Sequence, residues 1–135
     1  MKFLLDTNVI SEAIKPSPNH KVVTWLTHHS VSSAISVITI GEIWQGIEML
    51  PKGKRKTGYE NWFDAVETDF EGQVIPINLD IIKTWGTYCA TLKAKSIVPS
   101  SLNSLIAATA LHYGMSVVTR NQGDFPDVRT VDPFA

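Results

Sequence analysis

The chain has 135 residues, 44% of them apolar and 19% charged, the make-up of an ordinary globular protein rather than a disordered one. Its formal net charge of -1 carries no global signal for a polyanion partner, so any nucleic-acid contact has to rest on local clusters. The single cysteine, Cys89, excludes an internal disulfide and a cysteine zinc site and suits a reducing compartment.

The length predicts one domain over 1–135. No apolar stretch reaches the roughly 18 residues of a membrane span, and Asp6 breaks the N-terminal apolar run too early for a signal peptide. Together these predict a soluble, cytoplasmic chain with no membrane partner.

Met1 to Leu5 is apolar apart from Lys2 and runs directly into Asp6, the pattern of a buried parallel strand delivering a polar group at its carboxyl end. In open α/β sheets ligands bind outside those ends. The alternative is that Asp6 only caps the next helix, predicted over Ile10 to Ile14 and stopped by Pro16. Asn19 can cap a second helix, His20 to His28, with Val22, Val23, Trp25 and Leu26 in its apolar set. No acid or cysteine is spaced to join His20, His28 and His29, which read as surface or partner-facing side chains.

Ser32 to Ser36 is a short second strand. Thr39 is the predicted cap of the next helix, with Glu42 completing a capping box and Ile40, Ile43, Trp44, Ile47 and Leu50 at helical spacing. Glu42 is thereby a helix-capping or a functional acid, and spacing alone does not separate the two. Gly46 leaves room for a close neighbour at a helix-propensity cost of about 1 kcal/mol relative to Ala.

Pro51 to Lys56, PKGKRK, is a basic loop that serves either as a solvated connection or as an RNA contact. Helical periodicity returns over Tyr59 to Phe70, followed by a strand at Gln73 to Ile77 and a helix at Asp80 to Lys93. Leu102 to His112 is a strongly apolar helix ending at Gly114. Met115 to Thr119 is a fourth strand ending in Arg120 and Asn121, and Val128 to Val131 a short edge strand. Strands alternating with helices predict an α/β fold with a mostly parallel central sheet of four to five short strands and helices on both faces.

Asp6, Glu42, and Asn121 with Asp124 thus follow three strands at comparable positions, and Asn103 lies in the first turn of the helix before the fourth strand. Carboxylates gathered in one crevice repel each other unless a divalent cation neutralises them. Mg²⁺ and Mn²⁺ prefer such oxygen ligands. A cation held this way can activate water and stabilise the charge on a phosphodiester being cleaved.

The blocks LLDTNVISE (Leu4 to Glu12), ITIGEIWQG (Ile38 to Gly46), NSLIAATALHYG (Asn103 to Gly114) and VVTRNQGDF (Val117 to Phe125) resemble, in order, those of a PIN domain. Within that family the chain is most similar to the VapC-type ribonuclease toxins of bacterial toxin–antitoxin pairs, the FitB-like branch above all. The resemblance implies a three-layer α/β/α fold and Mg²⁺- or Mn²⁺-dependent endoribonuclease activity by metal-activated water. It also implies a cognate antitoxin that blocks the site, homodimerisation, and DNA contact only through the antitoxin.

Residue by residue, Asp6 matches the family's first acid and Glu42 its second. Asn103 stands where the third, an aspartate, is expected. Asn121 stands at the fourth, with Asp124 as an alternative source of charge. An amide at 103 is neutral and offers a cation only its carbonyl oxygen, which predicts reduced or absent activity. An inactivated toxin and a naturally degenerate member kept for binding both fit that substitution. Thr7 and Asn8 are expected to orient Asp6, and Glu12 to reach the crevice rim where relatives meet an antitoxin arginine. Arg120 is expected to grip a phosphate, and Lys54 and Arg55, with their basic neighbours, to steer RNA.

A competing reading is a catalytically dead binding module that holds an antitoxin, motivated by Asn103 and by aromatics such as Trp25, Trp44 and Trp62. A flavodoxin-like nucleotide-binding domain is set aside, because no Gly-rich loop follows the first strand.

Overall fold

The computed structural model describes residues 1–135 and contains a five-stranded, entirely parallel sheet in the order β3-β2-β1-β4-β5. The strands are β1 (Phe3–Leu5), β2 (Ser33–Ser36), β3 (Val74–Ile75), β4 (Ser116–Val118) and β5 (Thr130–Val131). Six α-helices connect them: α1 (Thr7–Glu12), α2 (His20–His29), α3 (Val37–Glu48), α4 (Lys54–Asp69), α5 (Leu79–Ala94) and α6 (Ser101–Tyr113).

The strands alternate between two buried clusters. Leu4, Ala34 and Val117 face one side, with Tyr88, Leu92, Ile106, Ala107 and Ala110 of α5 and α6. Leu5, Ile35 and Val118 face the other, with Val9, Val22, Ile43, Ile47, Phe63 and Val66 of α1 to α4. This produces the three α/β/α layers expected from the alternation of elements. Cys89 packs half-buried against the first cluster, as a small apolar residue would.

Three local boundaries differ from the sequence expectation. Helix α1 begins at Thr7, not Ile10, because Asp6 is its cap: Oδ1 accepts the Thr7 N–H at 2.9 Å.

Helix α3 begins at Val37, capped by Ser36, whose Oγ accepts the Ile38 N–H at 3.1 Å. The Thr39–Glu42 capping box therefore does not form. Ser36 ends β2 and caps α3 with no loop between, so Thr39 falls inside the helix and is fully buried.

Lys54, Arg55 and Lys56 form the first turn of α4 instead of a loop. The break is at Gly53, while lysine and arginine are good helix formers.

The Thr39 hydroxyl is buried with no hydrogen-bond partner. An orphaned buried hydroxyl costs about 1–3 kcal/mol, and valine keeps the shape. Thr39→Val is therefore expected to raise the melting temperature, by calorimetry, and an unchanged or lower value would show that the hydroxyl is satisfied in solution.

Candidate carboxylate site at the sheet switch point

The chain passes from β1 outward through β2 to β3, then returns to β4 on the other side of β1. The order reverses between β1 and β4, and the usual ligand position in such sheets lies outside the strands' carboxyl ends at that point. The register pairs Leu5 with Val118, and the Asp6 N–H donates to the Val118 carbonyl at 2.9 Å. Asp6 and Thr119, each the residue after its strand, are thereby side by side.

Their side chains form a saturated network. Asp6 Oδ2 accepts the Thr119 hydroxyl at 2.9 Å and the Asn8 amide at 3.1 Å. Thr119 Oγ1 in turn accepts from Asn8 Nδ2 at 3.3 Å and from the Asn121 N–H at 3.0 Å. Asn8 Oδ1 accepts the Arg120 N–H at 3.1 Å, closing the ring between the ends of β1 and β4. The Thr119 hydroxyl thus uses its one proton and both lone pairs.

Glu42 joins from α3: Oε1 accepts the Thr7 hydroxyl at 3.1 Å, with Glu42 half-buried in the second helical turn. Because Ser36 caps α3, Glu42 has no capping role to fill. Thr7 therefore orients Glu42 through its hydroxyl, while its backbone N–H is held by Asp6.

Burial first, and the Asp124 charge after it, holds the Asp6 carboxyl above its ordinary 3.8 despite the three hydrogen bonds it accepts. Burial, followed by the neighbouring Asp6, likewise raises Glu42 above 4.5. No lysine or arginine pairs with either acid; the ion pairs of the chain are Lys15–Glu12 and Lys95–Asp127. Two acids are held partly out of water, beside one another, without a counter-charge.

The remaining candidates stand as follows. Asn121 is exposed and enters the network through its backbone N–H; Asp124 is exposed in a single 3-10 turn, Gln122–Asp124, close enough for its charge to raise Asp6. Asn103 is half-buried in the first turn of α6, where its N–H donates to Ser100 Oγ at 3.2 Å.

Glu12 is engaged away from the network. It accepts the Asn19 N–H at 2.9 Å and pairs with Lys15 at 2.9 Å, an ion pair that lowers its pKa, so it pins the loop before α2. The exposed Arg120 lays its guanidinium over Phe134, 4.7 Å from the ring centroid. Lys54 and Arg55 are exposed at the start of α4. His29 stacks on Trp25 with centroids 4.2 Å apart, and no group of three histidine, cysteine or acidic side chains forms a ready metal cluster.

Thr119 is the member of this network that sequence alone passed over in favour of Arg120 and Asn121. The available signal was its position, the first residue beyond a buried strand, the same as that of Asp6.

The PIN domain family profile matches residues 3–130. The chain belongs to the PIN-domain family. The VapC ribonuclease Y4jK of Sinorhizobium fredii is 34% identical over 124 residues, 90% of this chain and 89% of that one. Toxin FitB of Neisseria gonorrhoeae is 32% identical over 135 residues, 97% of each chain. A solved FitAB complex bound to a DNA fragment contains a chain that superposes with a TM-score of 0.92 at 31% identity, covering 98% of this chain and 96% of that one. The likeness to VapC-type and FitB-like toxins read from the motif blocks is borne out, as is the three-layer fold.

The carboxylates of Asp6 and Glu42, partly withdrawn from water and with no cationic side chain paired to them, are oxygen donors of the kind a hard cation takes. Mg²⁺ in particular is commonly held by one or two carboxylates together with substrate phosphates.

In the metal-free protein the two raised acids favour their protonated forms more in the folded than in the unfolded chain. Their contribution to stability is complete below 3.8 and 4.5 and is lost as the pH rises past those values and through the raised ones. Glu42→Gln, which keeps a carbonyl for Thr7, is therefore expected to melt above the parent at pH 7 without metal. The difference should vanish in acid. Equal melting at pH 7 would mean that the like charges carry no cost.

Proposed function

We propose that this PIN domain is the toxin component of a type II toxin–antitoxin pair and a Mg²⁺- or Mn²⁺-dependent endoribonuclease fold. The observation that carries this is the pair Asp6–Glu42: two acids with raised pKa values, no counter-cation, and a scaffold of Thr7, Asn8 and Thr119 holding them in place. Such an arrangement is costly unless a cation completes it.

Asp6 and Glu42 would hold the cation, with the Asn103 carbonyl, Asn121 and Asp124 as further oxygen donors. When bound, the cation activates water and stabilises the charge on the phosphodiester. The chain's own contribution is orientation. Thr7 aims Glu42, Asn8 and Thr119 fix Asp6, and burial of the pair keeps the field undiluted by water. The exposed Arg120, Lys54 and Arg55 are the candidate contacts for an antitoxin or for RNA phosphates, and Glu12, as an acid, for an antitoxin cation alone.

The similar FitAB complex, bound to a DNA fragment, supports a cognate antitoxin as partner; a toxin homodimer, and DNA contact only through the antitoxin, belong to the same proposal and follow from the family resemblance. No helix is long and apolar enough to cross a membrane, which agrees with action in the cytoplasm.

Asn103 favours a second form of the same proposal, in which this chain has little or no activity and acts as a module that holds the antitoxin. Titration with Mn²⁺ by calorimetry separates the two. Binding that disappears in Glu42→Gln supports the nuclease site, and at 100 times Kd it should stabilise the parent by about 2.7 kcal/mol. No heat and no stabilisation would overturn the metal site and leave the module.

A further inference from the structure

A groove of about 290 Å³ opens directly beside the carboxylates, because Thr7 and Glu42 line it as well. Its size is near the lower end of ligand pockets, about 300–1,000 Å³, which suits a single nucleoside. Ile43 and Ile47 of α3 are apolar lining, and Tyr59 and Trp62 of α4 stand edge to face, 6.3 Å apart at 85°.

Arg55 also lines the groove, with its guanidinium 5.8 Å from the Tyr59 ring centroid. It makes no ion pair. Helix α4 opens on Lys54, Arg55 and Lys56 with no acid in its first turn, the reverse of what its own dipole favours. An anion at that end would relieve this.

Gly46 lines the same groove from the interior of α3. Glycine there costs the helix about 1 kcal/mol relative to alanine. Packing does not demand it, since a Cβ at this position would meet no atom within 4 Å. What glycine preserves is the open space.

The groove lining thus combines the acid Glu42, apolar side chains, two aromatic rings and an arginine in no ion pair. That combination suits a nucleotide: a cation held by the acid for one phosphate, apolar and aromatic surface for a base, and an arginine for a second phosphate. We propose that the groove takes the base of the nucleotide flanking the scissile phosphate of a single-stranded RNA. The base packs against Tyr59 and Trp62, and Arg55 holds the next phosphate. The proposal rests on the nuclease reading of the Asp6–Glu42 site.

The test uses a fluorescein-labelled hexaribonucleotide and its variants with one base at a time removed to leave the ribose, titrated with the full chain in Ca²⁺ and read by anisotropy. Stacking on an aromatic is worth about 1–3 kcal/mol per base, so removing the base at one position should weaken binding by roughly 5- to 150-fold. Gly46→Leu, which fills the groove, should weaken binding of the intact RNA by a similar factor and make it insensitive to base removal. Gly46→Ala should retain most of the affinity. Both variants should melt no lower than the parent and keep its Mn²⁺ affinity.

RNA affinity unchanged in Gly46→Leu, or no position at which base removal matters, would overturn the base subsite while leaving the nuclease reading intact. A parent chain that binds no RNA would remove both proposals together.

Discussion

Asn103→Asp is expected to raise RNA cleavage in Mg²⁺ or Mn²⁺ by on the order of 100-fold, since changes even to the outer shell of a metal site typically alter affinity or activity about 10- to 100-fold. The substitution adds a full charge and a second coordinating oxygen at nearly constant size. It should not disturb folding. Asn103 is the third residue of α6, and Ser100 Oγ already accepts its N–H at 3.2 Å, so an aspartate completes a capping box and suits the helix dipole. Initial rates on labelled RNA, with the variant prepared free of antitoxin, measure the gain. Adding Asp6→Asn should abolish it. Failure of Asn103→Asp to cleave RNA of any sequence would sink the nuclease proposal, whatever its Mn²⁺ affinity.

Thr119→Val is expected to be the most damaging change that leaves every acid in place. Thr119 is fully buried, donates to Asp6, and accepts from Asn8 and the Asn121 N–H. Valine has the same shape but none of these bonds, so it strips one donor from Asp6 and leaves the Asn121 N–H without its acceptor. The stability cost should be about 1–3 kcal/mol, read by denaturant titration.

A merely structural role would end there. A positioning role should also lower Mn²⁺ affinity and, in the Asn103→Asp background, cleavage by about 10- to 100-fold. Thr119→Ser, which restores the hydroxyl, should recover both. Wild-type Mn²⁺ affinity in the valine variant would reduce Thr119 to a packing residue.

Much of this site is legible along the chain because local pattern and function coincide there. Asp6 ends an apolar run and precedes turn-forming residues, so its place at a strand's carboxyl end can be read directly; capping α1 and facing the crevice turn out to be compatible, one for each carboxylate oxygen. Glu42 is readable as a helical acid but not as an uncapped one. A strand that passes into a helix without a loop leaves no break to see, and Thr39–Glu42 imitates a capping box three residues late. The PKGKRK run misleads in the same way: proline and glycine announce a loop, while its last cations already belong to α4.

The amino-acid sequence by itself determined the order of elements, the alternation that makes each strand face two cores, and the presence of acids after successive strands, since each depends on near neighbours in the chain. Only the tertiary structure decided which of those ends meet. The pairing of Leu5 with Val118 sets Asp6 against Thr119, and Thr7 reaches Glu42 across the crevice. The β1–β4 pairing is chosen by burial of whole faces between residues more than a hundred positions apart, a competition that no local window contains. The same holds for the groove beside Glu42, whose walls come from α1, α3 and α4 and which is bordered by a glycine that, in sequence, looks only like a weak spot in a helix.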